Sequence, residues 1–327
     1  MSKIFLATLF ALVLPLVSAV AAEPLAEKNP QLLSLQELRA KYNDPASRYT
    51  KVNGIEVHYK DEGKGPAILM IHGSSSSLKT YDVIVAKLKD RYRIIRFDVP
   101  SQGLSGLVSN EQAKSMGSTD IPEKLLADLG VKSTACVGVS SGSTMCVYLA
   151  AKNPGLVNHL ILSNGPADPV ENAPQRPPSA AMVAAQKESQ TAGYKTRSYW
   201  TAFFSRQAGV PEHITPAIIE MYYDYNRRPQ NDNVIALASK VADHEMALDL
   251  MAKVTAPVLL LWGAKDGMLP IPAADVLGKY LKNAEVSKLV LPDAGHYPPL
   301  EIPERYAQIV AAYLEAVSPV APQSPSK

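Results

Sequence analysis

The chain has 327 residues, enough for one large α/β domain or two ordinary ones. Its 46% hydrophobic and 20% charged content is that of an average globular protein, which excludes bulk disorder and allows a sizeable core. With 33 basic against 31 acidic residues the formal charge is +2, so there is no electrostatic case for nucleic acid or an anionic membrane as partner.

The N-terminus departs from that average. Lys3 supplies a positive region, Ile4 to Val17 form an apolar run broken only by Thr8 and Pro15, and Ser18-Ala19-Val20-Ala21-Ala22 fits a signal-peptidase cut before Ala22 or Glu23. Crossing a ~30 Å hydrocarbon core takes about 20 residues, more than this run supplies. Residues 1–22 are therefore expected to be a cleavable export signal, leaving a periplasmic or secreted protein without a stable membrane anchor. Residues 23–48 read as a linker with a short helix, Leu32 to Tyr42, capped by Ser34 or lying flat on the domain.

From Tyr49 to Tyr59 two alternating runs meet at Asn53-Gly54, a strong hairpin signal. Short apolar runs follow: Ala67 to Ile71, Tyr92 to Phe97, Thr134 to Val139, His159 to Leu162, Pro257 to Trp262 and Val286 to Leu291. Most lack alternation, as parallel strands buried on both faces do. Helical stretches separate them at Tyr81 to Lys89, Ile121 to Leu129, Ser141 to Lys152, Ala273 to Leu281 and Pro303 to Ala316. The fold class is therefore α/β, with a mostly parallel central sheet and helices on both faces, its core running over 49–164 and 255–317. Residues 165–254 interrupt the rhythm with a Pro-rich opening and helical, Tyr- and Met-containing sequence, which reads as a helical cap or lid. The tail, 318–327, is expected to be disordered.

Cys136 and Cys146 are the two cysteines. The first lies on a strand and the second on the helix that runs back over it. A helix on a sheet has its axis about 10 Å away, and bridged Cα atoms must lie within about 7 Å, so two buried unpaired thiols are expected.

Gly138-Val139-Ser140-Ser141-Gly142 follows a strand and precedes a helix, the setting a G-x-S-x-G nucleophile elbow requires. A serine hydroxyl needs a base to take its proton. Among six histidines His296 has the best context, because it follows the run Val286 to Leu291 on a loop at the same sheet edge as Ser140. His58 falls in the hairpin, His159 begins a strand, His213 and His244 lie in the insertion, and His72 reads as a packing residue. Asp266, just past Pro257 to Trp262, supplies a carboxylate to fix the imidazole tautomer. The Ser74 N–H, after Ile71-His72-Gly73, and the Ser141 N–H are the candidate oxyanion donors.

These motifs, with Phe97-Asp98-Val99-Pro100-Ser101-Gln102-Gly103-Leu104-Ser105 and Trp262-Gly263-Ala264-Lys265-Asp266, resemble the α/β-hydrolase superfamily in its cap-bearing esterase branch. The likeness covers roughly Tyr49 to Ala316 outside the cap. Members often read D-x-x-G-x-G-x-S, whereas this chain has Ser101 at the first of those glycines. Serine rather than aspartate at the nucleophile position argues against haloalkane dehalogenase and epoxide hydrolase chemistry. The resemblance implies a serine hydrolase acting on an ester-like small molecule, a carboxylic ester or a lactone, through an acyl-enzyme. A C–C bond hydrolase, an amidase or prolyl aminopeptidase, a cofactor-free peroxidase-like enzyme and a non-catalytic binding protein of the same fold are the alternatives. No metal cluster or dinucleotide fingerprint is present in the sequence, so no cofactor is implied. Tyr194, Tyr199, Trp200, Phe203, Phe204, Met221, Tyr222, Tyr223 and Tyr225 are candidates either to line a pocket or to pack the cap on the core.

Overall fold

The structure is a computed structural model that describes residues 32–166, 168, 170, 177–229 and 243–317. The expected export signal (1–22), part of the linker, part of the insertion and the tail (318–327) lie outside the described residues.

Asn53 and Gly54 both take positive φ, 50° and 79°, as a type I′ turn demands. They join strand β1 (Arg48–Val52) to β2 (Ile55–Glu62) with Val52 opposite Ile55. The remaining strands are β3 (Ala67–Ile71), β4 (Arg93–Phe97), β5 (Thr134–Val139), β6 (Val157–Ser163), β7 (Val258–Gly263) and β8 (Val286–Leu291). They form one eight-stranded sheet in the order β1-β2-β4-β3-β5-β6-β7-β8. β2 runs antiparallel to its neighbours, and every pair from β4 to β8 is parallel.

Helices α1 (Leu35–Tyr42), α2 (Asp82–Leu88), α3 (Asn110–Ser115), α4 (Asp120–Asp128) and α5 (Ser141–Lys152) come before the insertion. The insertion contributes α6 (Ala180–Ala192), α7 (Arg197–Gln207), α8 (Pro216–Tyr225) and α9 (His244–Met251). Helices α10 (Pro272–Tyr280), α11 (Pro298–Glu301) and α12 (Pro303–Ala316) complete the chain. Successive strand residues feed two cores. Leu69, Ile71, Leu160, Leu260 and Trp262 pack on the α5 face, whereas Ile68, Met70, Val137, Ile161 and Leu261 pack with Ile84, Tyr306 and Val310 of α2 and α12.

Two sequence expectations are corrected. β8 is not buried on both faces: it pairs with β7 alone at the sheet edge, and Val286 and Leu289 are each 39% exposed. Its Lys288, ion-paired with Asp275, puts a charge on that edge. Cys136 and Cys146 form a disulfide, with their Cα atoms 5.7 Å apart. The expectation used a standard helix–sheet spacing, but α5 begins directly at the strand end and crosses it through glycines. A Cβ on Gly138 would stand 2.6 Å from the Gly142 carbonyl carbon, so the helix starts closer than any side chain would permit.

The short N-terminal helix also has a physical basis. Ser34 caps α1 by accepting from Glu37 N at 3.2 Å, and Glu37 Oε2 takes the Ser34 N–H at 2.7 Å, a complete capping box. Leu38 is buried against Leu104 and Tyr225, tying α1 to both the β4 loop and α8.

Candidate active site

Ser140 joins β5 to α5 at φ 54° and ψ −129°, a backbone conformation that costs a non-glycine residue of order 1–3 kcal/mol. The surroundings hold it there. Its N–H donates to Ser163 O at 2.9 Å, its carbonyl accepts from Ser143 N at 2.9 Å, and a Cβ on Gly142 would meet Ile71 O at 2.2 Å.

Because β5, β6, β7 and β8 are neighbours and parallel, the residues just past their carboxyl ends gather at one edge. Ser140 follows β5, Asn164 follows β6, Asp266 lies past β7 and His296 past β8. His296 Nδ1 and Asp266 Oδ2 are 2.7 Å apart, with both side chains fully buried. Asn164 Nδ2 donates to the same Oδ2 at 2.6 Å, and the N–H groups of Met268 and Leu269 donate to Oδ1 at 2.7 and 3.0 Å. A carboxylate with that many donors acts purely as acceptor, so the imidazole proton sits on Nδ1 and the Nε2 lone pair is left for other use. Nε2 is buried and has no hydrogen-bond partner among the described residues.

The loop after β3 closes the site from the other side. A Cβ on Gly73 would lie 3.1 Å from Ser140 Cβ and 3.7 Å from Tyr297 Cε1, so this loop touches both the elbow and the histidine loop. Ser74 Oγ and Ser141 Oγ are hydrogen-bonded at 3.0 Å, which brings the two candidate oxyanion residues together. The Ser141 amide is in the first turn of α5, where no carbonyl one turn earlier can take it and the helix dipole is positive. His72 is occupied on both nitrogens: Nδ1–H donates to Gly73 O at 2.7 Å, and Nε2 accepts from Val99 N at 3.0 Å. Burial holds its imidazole below the ordinary value despite the nearby Asp98 carboxylate. It cross-links the β3 and β4 loops as a neutral ring.

The other histidines lie apart from this cluster. His58 pairs with Asp98 at 2.8 Å, and His159 Nε2 meets Val317 O at 2.8 Å. Of the insertion residues singled out, Tyr199, Trp200, Phe204, Tyr222 and Tyr223 are buried in the core cluster that holds Tyr297, with Phe203, Tyr194 and Met221 partly buried against it. Phe204 and Phe203 stand 6.0 and 6.3 Å from the Tyr297 ring, and Tyr222 donates its hydroxyl to Ser76 Oγ at 2.8 Å. Tyr225 instead packs with Leu38 and Leu104. Asn164 is the member of the cluster that sequence reasoning missed. Its signal was its place after a strand that lies between those leading to Ser140 and Asp266. Among the described residues no group of three or more His, Cys, Asp or Glu side chains is arranged to hold a metal ion.

Comparison with known proteins shows the fold family to which the chain belongs. A family model described as the alpha/beta hydrolase fold matches residues 66–303. A pimeloyl-[acyl-carrier protein] methyl ester esterase of Nitrosomonas europaea is 24% identical over 76% of this chain and 96% of its own. A 2-hydroxy-6-oxononadienedioate/2-hydroxy-6-oxononatrienedioate hydrolase of Dechloromonas aromatica is 24% identical over 80% of this chain and 91% of its own. Among solved structures, a thermophilic esterase from Thermogutta terrifontis superposes with a TM-score of 0.63 at 23% identity, covering 83% of this chain and 99% of that one.

Proposed function

Because the chain belongs to the α/β-hydrolase fold family, we propose that it is a serine hydrolase cleaving an ester-like bond, a carboxylic ester or a lactone, in a small molecule. The observation that carries this reading is the buried, unpartnered Nε2 of His296, whose ring is fixed through Nδ1 by Asp266. A neutral imidazole held at Nδ1 by a carboxylate offers Nε2 as a base, the form in which it can take a serine proton.

In this reading His296 Nε2 takes the Ser140 proton as Oγ attacks the carbonyl carbon. The N–H groups of Ser74 and Ser141 stabilise the oxyanion, a contribution of about 3 kcal/mol for one such donor. The tetrahedral intermediate collapses, His296 returns the proton to the departing alkoxide, and Ser140 is left acylated. Water, deprotonated by His296, then attacks the acyl carbon, and the acid leaves with Ser140 restored. The residues over 165–254 act as the cap that selects the substrate. The esterase names among the relatives support the ester reading, and the Dechloromonas name places unsaturated oxo-dicarboxylates in the substrate panel.

Ser140→Ala is expected to lower hydrolysis of short p-nitrophenyl esters by at least about a thousandfold, with an unchanged circular dichroism spectrum. A fluorophosphonate probe should label the wild type and not the variant. Full activity in Ser140→Ala would sink the assignment.

The protein is exported in this reading, with residues 1–21 or 1–22 removed. The Cys136–Cys146 disulfide supports it, because such bonds persist in oxidising compartments. Mass spectrometry of the mature protein should find Ala22 or Glu23 as its first residue. An intact Met1 would overturn export by cleavage.

A further inference from the structure

Behind the histidine loop lies a carboxylate that no ion pair explains. Glu301, at the end of α11, is 4% exposed, and among the described residues it has no lysine or arginine partner. Its Oε2 accepts the N–H groups of Gly295 at 2.8 Å and Gly209 at 2.6 Å, and its Oε1 accepts that of Tyr297 at 3.0 Å. Gly295 and Tyr297 flank His296, whose own N–H donates to Gln207 O at 2.8 Å. Three consecutive amides of the loop are thus committed, two to one carboxylate and the third to the end of α7. The backbones touch directly here, since a Cβ on Gly295 would meet Gln207 O at 2.0 Å and one on Gly209 the Ala294 carbonyl carbon at 2.5 Å.

An amide in place of the carboxylate would offer one acceptor oxygen and turn an NH2 group toward a donor. The arrangement therefore suits an ionised carboxylate. Burial pushes the Glu301 carboxyl up, while the three N–H donors and His296 act in the opposite direction.

We propose that Glu301 is a positioning residue for His296, fixing the loop on both sides of the imidazole and facing it with a buried negative charge. The proposal rests on His296 being the general base. Asp266 faces the imidazole at Nδ1, and Tyr297 lies edge-on to it at 4.7 Å, with Tyr222 and Tyr199 beyond. Asp293 in the same loop is paired with Arg305 and faces His213. Among the described residues, Asp266 and Glu301 are thus the anions near the imidazole that hold no lysine or arginine. Removing the Glu301 charge leaves the imidazolium less stabilised, so the proton affinity of His296 falls and the base weakens.

The test uses the mature protein and Glu301→Gln, read by an NMR titration of the His296 imidazole and by the pH profile of p-nitrophenyl ester hydrolysis. The expected result is a His296 midpoint lower by about half a unit or more. Plateau kcat should fall by roughly three- to tenfold with KM within about twofold. Glu301→Asp, which keeps the charge and shortens the reach, should retain the midpoint and lower kcat. An unmoved midpoint in Glu301→Gln overturns the proposal even if kcat drops, because scaffolding alone changes rate and leaves proton affinity where it was. If Glu301→Gln does not fold, an unchanged kcat in Glu301→Asp overturns it. The titration needs no turnover. A wild type that neither hydrolyses esters nor takes the fluorophosphonate would overturn the ester reading separately.

Discussion

Asn164 sits at φ 44°, a left-handed conformation costing roughly 1–2 kcal/mol outside glycine. Two bonds retain it: Oδ1 accepts from Gly263 N at 3.2 Å, and Nδ2 donates to Asp266 at 2.6 Å. Asn164→Asp replaces that donor with a second acceptor. Two buried carboxylates then share one site, one must hold a proton, and Asp266 loses its hold on the imidazole. Steady-state ester hydrolysis should show kcat down by about tenfold or more, with the fold retained by circular dichroism. Ser101 is a second left-handed residue, at φ 65°, where the resembling family carries glycine. Ser101→Gly relieves about 1 kcal/mol of strain and removes the Val108 N to Ser101 Oγ bond at 3.1 Å, worth about the same. Urea unfolding should place this variant within about 1 kcal/mol of the wild type. At this scale the sequence was legible where a residue stood between an apolar run and a helix with glycine close by, as Ser140 and His296 do. Asn164 was not legible, because an Asn after a strand reads as an ordinary turn residue. Glu301 was not legible either, because an acidic residue before the last helix reads as a favourable N-terminal charge.

Among the elements, the β5–α5 corner carries the largest departure from expectation. The disulfide closes a short loop, with a sequence separation of 10. Loop-closure entropy for that size is about 3 kcal/mol, so the double variant Cys136→Ala with Cys146→Ala should lose about that much in urea unfolding. A reductant that opens the bond during unfolding should reduce the wild type similarly, and equal stability with and without the bond would contradict this. Apolar runs and punctuating glycines gave the strands and most helices to within a few residues, since burial dictates those patterns locally. The edge position of β8 escaped, because whether a run such as Val286 to Leu291 is covered on both faces depends on strand order. The short α3 escaped as well. Its capping box, Ser109 with Gln112, is the sole strong local signal in a polar segment.

Across the whole molecule two buried carboxylates tie distant parts together. Asp98 accepts from Leu78 N and Leu104 N, each at 2.7 Å, and pairs with His58, linking the hairpin to the β3 and β4 loops. Asp224 on α8 holds Lys41 at 2.5 Å, with Tyr42 and Arg227 each at 2.7 Å, fastening α1 to the insertion. Burial alone would raise both carboxyls. For Asp98 the bond and charge of His58, with His72 and Leu104 N, outweigh it, and for Asp224 Lys41, Arg227 and Tyr42 do, so both lie below the ordinary carboxylate range. Their folded pKa is thus depressed. The stability they contribute is present above the unfolded value of about 3.9 and is lost as pH falls through the folded value. Asp224→Asn should cost about 2 kcal/mol at neutral pH by weakening the charged hydrogen bonds that Lys41 and Arg227 donate to the buried carboxylate. Melting curves between about pH 3 and pH 7 should then fall less steeply for the variant at the acid end. A parallel pair of curves would count against Asp224 as an acid-labile link.

The histidine loop meets its neighbours with bare backbone on two sides: Gly263 with Gly295 O 1.9 Å from where a Cβ would stand, and Gly295 with Gln207 O at 2.0 Å. No side chain intervenes at either crossing, which sets where the protein can diversify. A saturation library selected for activity should leave Gly263 and Gly295 invariant, since every replacement adds at least one carbon where there is no room. Variation should collect at Phe203, Met221 and Tyr194, partly buried residues at the fringe of the same core. New specificities can then arise at that fringe while the reacting groups stay in register.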